Sequence, residues 1–277
     1  MSTVTPRGWV GSVLRWAWLI AVGAVVAFPV YVTVVSAVLP SGDVMAGRLV
    51  PAPGRLTLGN LRDALDTVPL ARQYLMSVAV TLVQAGAQLL TATIAAYALV
   101  FTRWRGRRLA FTAVLATLAI PNESLVIPNF ELVTSLGLRD TLLGIVVPYL
   151  AAGYAVFLLR QAFADIPTEV MEAARLDGCD DIRALVRIVL PMCWPQLITA
   201  GLWSALSAWN GFFWPLLITD SPQRRTVQVG LSQLVTGEST SPAVIYAGTL
   251  LVLLPTLLLV VFGQRLLARG LASRITA

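Results

Sequence analysis

Apolar stretches separated by short charged segments recur along the whole chain. Val13 to Leu39 is a run of 27 residues whose only charge is Arg15, and Tyr74 to Phe101, Thr141 to Leu159, Met192 to Thr219 and Val244 to Phe262 repeat the pattern. A helix crosses a hydrocarbon core of about 30 Å in roughly 20 residues, so each run predicts a transmembrane helix. Between Leu109 and Glu131 the pattern is less regular. The apolar run from Leu109 to Pro121 has only 13 residues and must continue through Asn122-Glu123-Ser124 and Pro128-Asn129 to cross. On the second run Ala87, Thr91 and Ala95 recur every four residues, a small-residue face suited to close helix contact. The first run is longer than the apolar core of a cleaved signal peptide, about 7 to 15 residues, and is expected to remain as a span. The prediction is an all-α integral membrane protein, one transmembrane domain over residues 1–277, with six transmembrane helices at about 13–39, 74–101, 109–131, 141–159, 192–219 and 244–262.

Six spans place both termini on one side, and arginine counts orient them. Segments 1–15, 103–108, 160–190 and 264–277 hold 13 Arg, whereas the opposite set, 40–73, 132–140 and 220–242, holds 7 in an equal total length. Short cytoplasmic loops are the basic ones, so both termini and the 160–191 loop are expected in the cytoplasm of a bacterial cell, and the chain in its cytoplasmic membrane.

Composition narrows the chemistry. The 277 residues are 57% hydrophobic and 12% charged, with no His, and all 20 basic residues are Arg; soluble domains carry about 25% charged residues. Without Lys the chain has no phosphate-binding G-x-x-x-x-G-K-[ST] loop and no Schiff base. Without His it has no imidazole general base and no Ser-His-Asp triad, and no catalytic or metal residues are predicted. No cofactor is expected on this chain, and energy from ATP must enter through another polypeptide. The net charge of +6 follows from positive cytoplasmic loops facing lipid and calls for no nucleic acid. Cys179 and Cys193 fall at the cytoplasmic side, where a disulfide is not expected.

Between the fourth and fifth spans, about residues 160–191, the chain carries four arginines and six acids. Pro167 or Thr168 opens a helix, Glu169 suits its positive end, and Gly178 supplies a φ > 0 stop. Asp180 and Asp181 suit the start of a second helix to Leu190, with Arg183 and Arg187 toward its end. Ala173 and Ala174 leave one surface of the first helix nearly flat, open to a close partner. A helix-turn-helix on the cytoplasmic face is predicted.

Glu172-Ala173-Ala174, three residues, Gly178, nine residues, then Ile188-x-Leu190-Pro191 resembles the EAA loop of permease subunits of binding-protein-dependent ABC importers. Leu136-Gly-Leu, Leu159-Arg-Gln, Ser207-x-Trp-Asn210, Phe213-Trp-Pro-Leu216, Gln264-Arg265 and Gly270-Leu271 extend the likeness. Together they look like the carbohydrate-uptake subfamily, of maltose or glycerol-phosphate type, and its smaller, six-span permease. The resemblance implies that Glu172, Ala173, Ala174, Arg175, Asp177, Gly178, Ile188, Leu190 and Pro191 form the coupling element seated in an ATPase cleft. It implies as partners a second homologous permease, two ATPase subunits carrying ATP and Mg, and an external solute-binding protein. Cys179 stands where the family usually has Ala, and the tail Ala272 to Ala277 lacks the family's Lys ending. Leu234 to Thr240 is similar to the glycerol-phosphate branch.

Polar residues within the spans are candidates for a translocation pathway: Gln84, Gln88, Asn122, Glu123, Asn129, Trp209 and Asn210. Amides and aromatic faces recognise sugars, but glutamines also bond neighbouring helices and tryptophans also anchor at interfaces, as expected for Trp214 beside Pro215. Pro121 and Pro128 break the third segment, so Glu123 and Glu131 lie either at membrane depth or in the external headgroup region. A carboxylate at depth is a functional candidate, and a proton-coupled secondary transporter using Glu123 or Glu131 is the rival reading; it would transport without nucleotide and leaves the EAA pattern unexplained.

Overall fold

A computed structural model describes the backbone of residues 7–51, 54–237 and 240–275 and the side chains of 11–51, 54–237 and 240–264. Among the described residues every regular element is a helix. Three helices are long and apolar enough to cross a membrane unbroken: Gly11–Val38 within Arg7–Val38, Leu70–Phe101, and Pro242–Gln264 within Pro242–Ile275. The remaining spans are bent or broken. The third is Arg107–Thr117 followed by Asn122–Ser135 at 98°, and the fourth is Leu142–Tyr149 followed by Gly153–Ala164 at 49°. The fifth is Trp194–Trp209, interrupted at 210–212 and resumed as Phe213–Ile218. This is an all-α membrane protein of six spans, with a helix-turn-helix between spans four and five.

The chain divides into two compact units. The first comprises residues up to Val68 with Leu231–Leu253. Its loop is folded back on the end of span one: the short helix Gly59–Thr67 buries Asn60, whose Nδ2 donates to the carbonyls of Ala37 at 3.0 Å and Leu39 at 2.7 Å. Those carbonyls sit where a helix end leaves acceptors unpaired. Leu234 is fully buried, and a Cβ on Gly248 would come within 2.6 Å of its Cδ1, so the helix passes there as a bare backbone. The sequence segment Leu234 to Thr240 includes Glu238 and Ser239, which lie outside the described residues, as do the side chains of the tail Ala272 to Ala277.

The second unit, Pro69–Gly230 with the chain from Leu254 onward, holds the main core. Spans two, four and five pack through Ala92, Ala96, Ala155, Leu159 and Ala200, each at most 1% exposed. Alanines let helix backbones approach closely where lipid offers no hydrophobic drive. The tight face of span two therefore runs through Gln88, Ala92 and Ala96, whereas Ala87, Thr91 and Ala95, expected to form it, are half-buried at its edge. The break in span four leaves carbonyls without helical partners, and span two supplies donors: Gln88 Nε2 to Tyr149 O at 2.8 Å and Thr91 Oγ1 to Leu150 O at 3.1 Å.

Candidate functional site

The loop between spans four and five is built from local turn chemistry. Its first helix, Thr168–Leu176, ends at Gly178, whose φ is +76°. The Cys179 N–H donates to Ala174 O at 2.9 Å and the Gly178 N–H to Arg175 O at 3.0 Å, the paired bonds of a Schellman stop. A Cβ on Gly178 would meet nothing within 4 Å, so the backbone angle alone requires glycine. Asp180 caps the second helix, its carboxylate accepting from the Arg183 N–H at 2.7 Å. That helix is not a uniform run to Leu190. It is α-helical over Asp181–Ala184, widens to a π-type turn over Leu185–Val189, and continues through Leu190–Met192. Pro191 has no N–H to give to the preceding turn, and a widened turn accommodates that loss. Beyond it the chain turns by 85° into span five.

The two sides of this loop differ. Met171, Ala184 and Val189 are buried in the core with spans two and four, and Ala174 is buried as well. Tyr97 Oη donates to Asp181 Oδ1 at 3.0 Å, and Arg175 Nη2 donates to Phe101 O at 3.4 Å, so both loop helices are fastened to the end of span two. Glu172, Ala173, Arg175, Asp177 and Pro191 are exposed, and Ile188 and Leu190 are half-buried. Ala173 and Ala174 thus do not share one flat surface: one faces out and the other packs in. The outward surface also carries Leu176, 89% exposed, and Ile182, 76% exposed. Neither was singled out from sequence, although Leu176 stands three and four residues beyond Ala173 and Glu172, the spacing of one helix face.

A cavity of about 530 Å³ opens among spans two to five. Its wall includes the interruptions of all three broken spans: Leu118 and Ile120, Ala151 and Ala152, and Gly211 and Phe212. Irregular backbone at membrane depth is tolerated where it is buried or lines a cavity, and here the breaks converge on one. Gln84, Gln88, Asn122 and Asn129 line it; Glu123, Trp209 and Asn210 do not. Trp209 is buried against Tyr74, with ring centroids 5.3 Å apart. Asn210 is exposed at the end of the fifth-span helix, where its Nδ2 donates to Leu206 O at 2.9 Å and its Oδ1 accepts from Gln228 Nε2 at 3.4 Å. Glu123 and Glu131 are both exposed and outside the lining.

The cavity also takes residues that sequence reasoning did not assign to it: Tyr149, Tyr154, Trp203, Ser207 and Trp214. Trp214, expected as an interfacial anchor, is 5% exposed, and its Nε1 donates to Gly144 O and Ile145 O at 3.2 and 3.1 Å. Ser207 lies one turn after Trp203, a spacing readable from sequence that becomes informative only once the cavity side is known.

Residues 88–273 match the family described as binding-protein-dependent transport system inner membrane components. The chain belongs to this family. This permease is 31% identical over 263 residues to the arabinooligosaccharides transport system permease protein AraQ of Halalkalibacterium halodurans, covering 92% of this chain and 94% of that one. It is 33% identical over 256 residues to the sn-glycerol-3-phosphate transport system permease protein UgpE of Pectobacterium atrosepticum, covering 90% and 91%. Its fold matches a chain of a bacterial ABC transporter involved in the import of the acidic polysaccharide alginate, with TM-score 0.85, 22% identity, and coverage of 96% and 99%. The permease is therefore an inner membrane transport component, as the EAA pattern implied.

Proposed function

We propose that this permease is the smaller membrane subunit of an ATP-driven importer for a sugar or sugar-like solute, coupled to its ATPases through the loop at 160–191. The relatives named for arabinooligosaccharide and glycerol-phosphate transport support the solute class. A second homologous permease completes the pathway, two ATPase subunits hold ATP and Mg, and an external binding protein delivers solute. The loop and both termini face the cytoplasm. ATP-driven closure of the ATPases pushes on the outward surface around Glu172, Ala173 and Leu176. The inward side, tied to Phe101, Asp181's partner Tyr97 and the span-four core, moves spans two, four and five as a unit and turns the cavity outward.

The observation that carries this reading is the two-sidedness of the loop. A charged, solvated loop without a partner has no reason to expose Leu176 and Ile182 while its other side is keyed into the core. Gly178→Val strains the left-handed turn, and Ala173→Asp places a charge in a close interface, where an unpaired buried charge costs several kcal/mol. A loss of about 3 kcal/mol is more than a hundredfold in association. Both variants are expected to insert in the membrane yet to lose ATPase subunits on purification and solute-stimulated ATP hydrolysis, with exposed Arg183→Ala much milder. Stoichiometric, solute-responsive ATPase co-purifying with the double variant Gly178→Val/Ala173→Asp would refute the coupling role.

A further inference from the structure

The cavity among the broken spans has a composition of its own. Trp203 and Tyr154 form an aromatic pair on one wall, ring centroids 5.1 Å apart and planes inclined at 42°. Trp203 is 55% exposed, an indole presented rather than packed away. Gln84, Asn122, Asn129 and Ser207 supply amide and hydroxyl groups around it, and among the described residues the lining carries no charged side chain. Gln84, which is buried, stands near the middle of the 32-residue helix of span two. The nearest charge along the chain is acidic: Glu123 follows the lining residue Asn122 in the same short helix.

We infer that this cavity is a solute-contacting subsite of this permease for a neutral carbohydrate, with Trp203 and Tyr154 as the stacking platform and Asn122, Asn129 and Gln84 as hydrogen-bonding partners. The inference rests on the importer reading and goes beyond it, because it gives the smaller subunit direct contact with solute and selects among solutes. A sugar ring turns C–H bonds of partial positive charge toward one face, which suits the negative face of an aromatic ring. Its hydroxyls both donate and accept, which suits amides, since each amide does both. A phosphate or uronate calls for a cationic partner, and among the described residues the lining offers none. The volume falls within the about 300–1,000 Å³ of small-molecule sites, which are mostly apolar with a few placed polar groups.

The test uses the intact importer in cells of the source organism. A strain deleted for this gene is assayed for uptake of radiolabelled glucose, galactose, arabinose, xylose and their di- and trisaccharides, alongside sn-glycerol 3-phosphate and galacturonate. Loss of uptake of a neutral saccharide, restored by the wild-type gene, is expected. Complementation with Trp203→Ala and with Asn129→Leu should then lower maximal uptake about tenfold with little change in KM, because capture from solution belongs to the binding protein and the subsite acts afterward. Trp203→Phe, which keeps an aromatic face, should retain most of the rate, and the ATPase recovered with each variant should match wild type. If deletion abolishes uptake of a neutral saccharide but Trp203→Ala and Asn129→Leu both transport normally, the subsite is refuted and the importer reading stands. Lost ATPase recovery that tracks the lost rate also refutes the subsite. Loss of sn-glycerol 3-phosphate or galacturonate uptake alone overturns the neutral class, and a deletion that changes none of these overturns the sugar-importer reading together with it.

Discussion

At the scale of residues, one position outside the spans is as specialised as Gly178. Asp140, between spans three and four, has φ +55°, a left-handed angle that carboxylate and amide side chains tolerate better than others. Its carboxylate accepts from the N–H groups of Asp220 and Ser221, both at 3.0 Å, and from the Ser221 hydroxyl at 2.5 Å. Its own carbonyl accepts from Arg224 at 2.6 Å, and the neighbouring Arg139 reaches Asp220 at 3.1 Å. Burial by itself would raise the Asp140 pKa, but the Ser221 hydroxyl, the two amides and Arg224 outweigh it and hold the carboxyl below its ordinary value. A depressed folded-state pKa contributes stability above the unfolded value of about 3.9, and that contribution is lost as pH falls through the folded value. Thermal unfolding of the purified protein should show Asp140→Asn less stable than wild type at neutral pH, with the gap closing in acid. A gap that stays constant down to the acid limit would mean the ionised carboxylate is not what holds this clasp.

At the scale of elements, the broken spans survive because their freed backbone groups find partners across helices. Gln88 and Thr91 of span two answer the carbonyls released at Tyr149 and Leu150 of span four. Close approach helps: a Cβ on Gly153, just past that break, would stand 2.6 Å from Thr117 Oγ1 of span three. Interhelical bonds of this kind are worth about 0.6 to 1.7 kcal/mol in membranes. Gln88→Leu and Thr91→Val should each lower the unfolding midpoint in detergent by a modest amount, and the double variant by more than either. If Gln88→Leu were as stable as wild type, the amide would be free for another role, and a uniform loss of uptake in that variant would assign it to the solute instead.

At the scale of the whole molecule, the arginine asymmetry predicts which side each loop faces, and a labelling experiment checks it. In a chain with Cys179 and Cys193 replaced, single cysteines at Ala46 and Arg183, both exposed, give one reporter in each set of loops. An impermeant thiol reagent on spheroplasts should label Ala46→Cys and leave Arg183→Cys unlabelled until the membrane is opened. Labelling of Arg183→Cys in sealed cells would reverse the orientation and with it the ATPase side of the coupling loop.

Much of this protein follows from short-range chemistry and is readable in the chain. The length of the apolar runs predicts the spans, and the stop at Gly178 and the cap at Asp180 depend on bonds to residues within a turn, so residue type and spacing suffice for them. The π-type turn before Pro191 and the widths of the helix breaks needed the structure, because several backbone responses to a proline are open. The faces of the spans were decided only by tertiary packing. Span two turns Gln88, Ala92 and Ala96 inward rather than Ala87, Thr91 and Ala95, a rotation of about 100°. Trp203 and Trp209 lie on one helix, yet one lines the cavity and the other is buried against Tyr74. In water, a helix announces its buried face by hydrophobic periodicity. In a membrane, lipid is as apolar as leucine, so the sequence of a span records that it is in the bilayer but not which side meets lipid, protein or solute; packing against neighbouring helices makes that choice.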